Sequence, residues 1–239
     1  MAEKLKLALK NPTLPLALKA SFLVLAVFWL RQGDVGIFKA FLFLVVFFVL
    51  YLKPKTNSGK YFVSSIVWLM LVFFAPNISG LMGFYVNLIL GILAFIMLGV
   101  KNLIFLKRQS AYYMLHLVLV IGATSMFFLG SLSQIPLFII LFFLFKEFYS
   151  VMVKEDLELI NLIAVMESML LIQAAWVSSF FPTSFLVSAS FLVLATFVFH
   201  DVMVNYFKET LTKQLVLRDL GLFLALSILI LLMPVWGFQ

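Results

Sequence analysis

An all-α, multi-spanning membrane protein is the fold class this sequence predicts, and three observations predict it. Hydrophobic residues fill 65% of the 239 positions and charged residues only 11%, against roughly 45–50% and roughly 25% in an average soluble domain. The apolar residues fall in runs close to the ~20 residues that one helical crossing needs. Lysines and arginines gather at alternate junctions between those runs. A soluble chain of this composition would leave much of its surface apolar and sticky, and lipid removes that problem. Backbone amides in hydrocarbon must find partners within their own segment. The runs are too long and too unalternating for barrel strands, so they are expected to be helices.

Nine stretches qualify, the shorter ones with help from their flanks: 14–31, 37–53, 60–76, 80–100, 110–130, 134–150, 158–181, 183–200 and 219–237. The first follows Lys4, Lys6 and Lys10 in the manner of a signal peptide. Lys19 interrupts it, however, and no small-residue cleavage site comes before Arg31, so it is expected to stay as a span. The second is almost wholly Phe, Leu, Val and Ile over Phe41–Leu50, which predicts a peripheral helix against lipid or a partner. The third carries Trp68 at its middle. The fourth holds Gly80, Gly83, Gly91, Ala94 and Gly99, small residues that let helices approach closely in lipid. Ala111, Gly122, Ala123 and Ser125 serve the fifth in the same way. The sixth, with Leu137–Phe145 entirely bulky, is expected at the periphery like the second. In the seventh Ala164 precedes Ser168 by one turn and Ala174-Ala175 precedes Ser178-Ser179; in the eighth Ser184 precedes Ser188-Ala189-Ser190. The fourth, fifth, seventh and eighth are therefore expected to form the interior. All seven prolines lie near run ends, which argues against broken mid-membrane helices.

Orientation follows from the cations. Fourteen of the seventeen fall before the first run or between runs two and three, four and five, six and seven, and eight and nine. The alternate junctions are nearly bare, apart from the Arg31–Lys39 turn. The expected topology has a cytoplasmic N-terminus, an external C-terminus and one integral membrane domain over 1–239 with no soluble part. Tyr51, Tyr61, Tyr112, Tyr113, Tyr149 and Tyr206 lie at expected inner ends, where headgroup-level rings are favoured. The setting is expected to be a bacterial-type cytoplasmic membrane. A weak repeat is visible too: Phe145-Lys146-Glu147 and Phe199-His200-Asp201 are each followed at equal spacing by a Lys-Glu pair. It suggests helices running past the headgroups as amphipathic extensions, with Asp201, Asn205, Lys208 and Thr212 as the polar stripe of the second.

Ionisable groups inside a span cost roughly 2.5–3.5 kcal/mol on insertion scales, so each needs a reason. Glu167 is the foremost candidate, nine residues into its run and so about 13 Å deep. Lys19 and His116 share the cytoplasmic half. A buried Glu167–Lys19 or Glu167–His116 pair would line a polar cavity and could pass a proton; the simpler expectation is a carboxyl group bonded to a neighbouring helix while Lys19 snorkels. Gln173, Asn87 and Asn161 could extend a polar path or act as interhelical hydrogen-bond glue.

Known site chemistries find little support. Zero cysteines exclude disulfides and thiolate catalysis. His116 and His200 are the two histidines; the expected run boundaries put His200 near the headgroups and His116 deeper, awkward for a haem. No lysine in the last three runs suits a retinal Schiff base. The scattered carboxylates predict no metal cluster. Motifs for nucleotide, zinc-hydrolase or serine-hydrolase chemistry are absent. The net charge of +7 is spread in short clusters and points to no nucleic acid. Expected partners are the bilayer and other membrane subunits or further copies of the chain. A non-enzymatic membrane subunit or scaffold is the leading expectation. A small-solute or proton-coupled transporter using Glu167, Lys19 and His116 is the alternative, and a lipid-modifying enzyme at the cytoplasmic face comes third.

Overall fold

The computed structural model describes residues 13–33, 36–53, 59–74, 80–102, 107–153, 156–181 and 183–232. Among them are nine helices and no strand: α1 (Thr13–Arg31), α2 (Ile37–Leu52), α3 (Phe62–Phe74), α4 (Leu81–Lys101), α5 (Arg108–Phe128), α6 (Gln134–Met152), α7 (Leu157–Ser178), α8 (Phe185–Phe207) and α9 (Lys213–Leu232). By length and composition α1, α4, α5, α6, α7 and α8 can cross a membrane, which makes this an integral membrane protein. α2 and α3 are apolar but shorter, at 16 and 13 residues.

Most helix limits agree with the expected runs within a few residues. The largest departure is at α8, which does not stop at His200 but continues two turns to Phe207. Asn205 makes that possible: its amide donates to the Asp201 carbonyl at 2.8 Å and to its carboxylate at 3.2 Å, one turn back on the same face. The expected amphipathic extension is thus helical as far as Phe207 and then turns at Lys208 and Glu209. α9 starts at Lys213, six residues earlier than expected, with the Thr212 hydroxyl accepting from Leu215 N–H at 3.3 Å as its N-cap.

The chain forms two compact units, residues 1–115 and 116–239, and the boundary falls within α5. In the first, α1 packs most extensively on α4. Gly91 explains the closeness: a Cβ at that position would run into the Val24 side chain. Leu23, Val27 and Leu30 of α1 are fully buried, as are Ala94 and Leu98 of α4. Trp68 sits inside this unit, its indole N–H donating to the Leu90 carbonyl at 2.9 Å and its ring stacked on Phe47 at 5.3 Å. That satisfies the one polar atom of a ring otherwise suited to an apolar interior. α2 buries only Phe43, Phe47 and Tyr51. Its remaining surface is largely exposed apolar side chain, as expected for a peripheral helix.

In the second unit α6 packs most extensively on α7, and α8 lies against both α7 and α9. This corrects the expectation of a peripheral sixth span. Leu137, Leu141, Leu144, Phe145, Phe148 and Tyr149 form a fully buried stripe, and only the opposite face, with Ile135, Ile139 and Phe143, is exposed. Bulky apolar composition does not separate lipid-facing from protein-facing helices, because both surroundings are apolar. Ala164, Ser168 and Ala175 lie on the buried face of α7, where small residues let neighbouring helices approach closely.

Candidate functional site

The second unit buries one polar cluster, assembled from three helices. Glu167 projects from the buried face of α7, one turn after Ala164 and beside Ser168. Tyr149 comes from the last turn of α6. His200 comes from α8, seven residues before its final residue and so about 10 Å inside that helix end. Glu167, Tyr149 and His200 have no solvent exposure. Tyr149 Oη donates to Glu167 Oε2 at 2.9 Å. His200 Nε2 lies 3.0 Å from the other carboxylate oxygen, Oε1. One oxygen of the carboxyl group is hydrogen-bonded from α6 and the other faces the imidazole of α8.

Aromatic rings fix the imidazole. Phe148 stacks on His200 with centroids 4.1 Å apart and planes 13° from parallel, while Phe145 meets it edge-on at 5.1 Å. Tyr149 approaches edge-on at 5.4 Å. His116, also without exposure, places its ring 5.0 Å from His200 and 4.7 Å from Phe148. Two imidazoles and a carboxyl group thus share one aromatic box.

The chemistry of such a group is narrow. A carboxylate with an imidazolium and a carboxyl group with a neutral imidazole hold the same number of protons and the same net charge. A proton moved between Glu167 and His200, whose Oε1 and Nε2 lie 3.0 Å apart, would leave the charge of the site unchanged. Removing either partner leaves a buried polar group unpaired, which is strongly unfavourable in a water-poor interior. Among the described residues no three His, Cys, Asp or Glu side chains are placed to hold a metal ion.

The residues singled out in the sequence go to different places. Glu167 is the centre of the cluster. Its carboxyl group is bonded to the neighbouring helix through Tyr149, the simpler of the two expectations; the imidazole beside it is His200, where the alternative named Lys19 or His116, and His116 joins through its ring contact with His200. Lys19 donates to the Lys53 carbonyl at the end of α2, at 2.8 Å, which is the snorkelling role. Asn87 is half-buried on α4, with no hydrogen-bond partner for Oδ1 among the described residues. Gln173 is exposed on α7 and forms no part of the cluster, and Asn161 is half-buried on the same helix.

Two residues of the cluster escaped the sequence reading. His200 was placed near the headgroups because its run was ended at that residue. The helix continues to Phe207, and His200 is fully buried among its neighbours. Tyr149 was counted with the headgroup tyrosines, yet Tyr51, Tyr61, Tyr112 and Tyr149 are all buried. Tyr61, for example, accepts from Arg108 Nη2 at 2.6 Å and packs on Tyr112 at 5.1 Å. Of the six tyrosines expected at inner ends, Tyr206, 61% exposed, has the exposure of a headgroup anchor. The available signal was the weak repeat, whose two copies carry Phe148-Tyr149 just past one end and His200 in the other.

Compared with protein-family models, with curated proteins and with solved structures, the chain matches none.

Proposed function

We propose that this chain is a proton-coupled carrier of a small solute, with nine spans, a cytoplasmic N-terminus and an external C-terminus in a bacterial-type cytoplasmic membrane. One observation carries the reading: Glu167 is hydrogen-bonded to Tyr149 on one side and lies 3.0 Å from His200 Nε2 on the other, with no exposure of any of the three. Ionisable groups inside spans mark proton and substrate routes more than they mark stability, since an apolar trio of equal volume would hold the helices as well or better. A carboxyl group and an imidazole held together take up one proton between them, raising the charge of the site by one, and that occupancy can be linked to the conformation of α6, α7 and α8.

The test is transport in proteoliposomes, read as current or as internal pH change while small solutes are supplied in turn. Wild type is expected to give a solute-dependent proton flux, and Glu167→Gln to remove it. Full proton-coupled transport by Glu167→Gln would end this reading. A second reading, a membrane subunit or scaffold, is favoured by the exposed apolar face of α2, where Ile37, Phe38 and Phe41 are 65% exposed or more. A stoichiometric partner retained through mild-detergent purification, together with no transport of any solute, would move the conclusion there.

A further inference from the structure

A second feature of the 116–239 unit lies at the other end of the same helices. A cavity of about 220 Å³ is lined by Phe127, Phe128, Ser178, Ser179, Phe181, Thr183, Phe185 and Ser188. It is formed by the C-terminal ends of α5 and α7 and the N-terminal end of α8. Three helices agree on its distance from the polar cluster. Ser178 is eleven residues beyond Glu167, Ser188 twelve before His200 and Phe127 eleven beyond His116. At 1.5 Å per residue each separation is about 16–18 Å, roughly half the hydrocarbon thickness.

The lining has a definite chemistry. It contains four hydroxyl side chains, four phenylalanines and no ionisable group. Ser178 and Ser188 are 4% and 5% exposed, so they belong to the cavity wall and not to the outer surface. Ser188 Oγ and Thr183 Oγ1 are hydrogen-bonded at 2.8 Å, and Ser179 Oγ donates to the Trp176 carbonyl at 2.6 Å. A hydroxyl group both donates and accepts, so this wall meets a solute's own hydroxyls without presenting a charge. The phenylalanine rings offer faces for C–H surface.

We propose that this cavity is a binding site for a small, uncharged, hydroxyl-bearing solute of the polyol or sugar class. This rests on the carrier reading and names its substrate class: the solute enters here, and Glu167 with His200 supplies the coupled proton about half a membrane away. A charged solute would be desolvated against eight side chains none of which neutralises it.

The absence of cysteine makes a clean test available. Full-length protein carrying Ser188→Cys is reconstituted in liposomes and labelled with a maleimide dye, alone and with glycerol, erythritol, xylitol or glucose. At least one of these is expected to slow labelling by about threefold at a concentration about twice its Kd, as simple occupancy requires. Acetate and lysine, which are charged, should not slow it. Ser178→Cys is the second reporter, should the first fold poorly. Unslowed labelling of both reporters by all four solutes overturns the proposal, and so does equal slowing by acetate or lysine. The labelling is repeated with Glu167→Gln added. Protection that survives while transport is lost supports both readings. Protection with transport that Glu167→Gln leaves intact keeps the cavity as a solute site and removes the coupling assigned to Glu167.

Discussion

At the scale of single residues, Glu167 shows how a costly side chain is held and what its cost predicts. Tyr149 donates to one of its oxygens and His200 Nε2 lies 3.0 Å from the other, with no water-exposed surface on any of them. Hydrogen bonds between helices in lipid average about 0.6 kcal/mol and reach about 1.7. Tyr149→Phe should therefore destabilise by about 1 kcal/mol, read from unfolding in mixed detergent micelles. His200→Leu removes the imidazole beside Oε1 and should cost about 1–3 kcal/mol, because one oxygen of the carboxyl group is left buried against an apolar side chain while Tyr149 holds the other. Adding Glu167→Leu should recover much of that loss while transport stays abolished, so stability and activity part company in the double variant. A double variant that transports normally would show the pair to be structural. Glu167 was legible in the sequence as a lone acid deep in an apolar run. Its partners were not, because sequence position measures depth along a helix and says little about which way a side chain points or what meets it.

At the scale of helices, two matching C-termini make opposite predictions. α5 ends with Gly130 N–H donating to the Phe127 carbonyl and Ser131 N–H to Met126, both at 2.9 Å, with Gly130 at φ 73°. α8 ends in the same pattern: Glu209 N–H to Tyr206 at 3.0 Å, Thr210 N–H to Asn205 at 2.9 Å, and Glu209 at φ 55°. Both are Schellman ends, which place one residue in the left-handed region where a Cβ costs roughly 1–2 kcal/mol. Gly130→Ala should lower stability by about 1 kcal/mol and Glu209→Gly should raise it by a similar amount. Thermal unfolding of the two variants side by side checks both signs. Between helices, Gly91→Ala should loosen α1 from α4 through its clash with Val24, at about 1–3 kcal/mol for overpacking. The glycine-rich fourth run signalled close packing correctly and did not say against which helix. The sixth run misled, since Leu and Phe bury equally well in lipid and in protein.

At the scale of the whole molecule, the proposed topology is tested by cysteines in an otherwise cysteine-free chain. Ser131→Cys should react with an impermeant thiol reagent in sealed cells, and Ser58→Cys should not. Labelling of Ser58→Cys alone would invert the orientation, and with it the side from which the hydroxyl-lined cavity fills. The sequence by itself determined what the bilayer dictates to any chain. Long apolar runs become helices because unpaired backbone groups are intolerable in hydrocarbon, and their number and approximate limits are written in composition. Tertiary structure decided which faces meet. It brought His200 and Tyr149 to Glu167, sent Lys19 to a helix end, buried four tyrosines and turned one face of α6 inward. The physical reason is that lipid and protein interior are both apolar, so the hydrophobic pattern that locates helices in the membrane leaves their partners to close packing and a few hydrogen bonds.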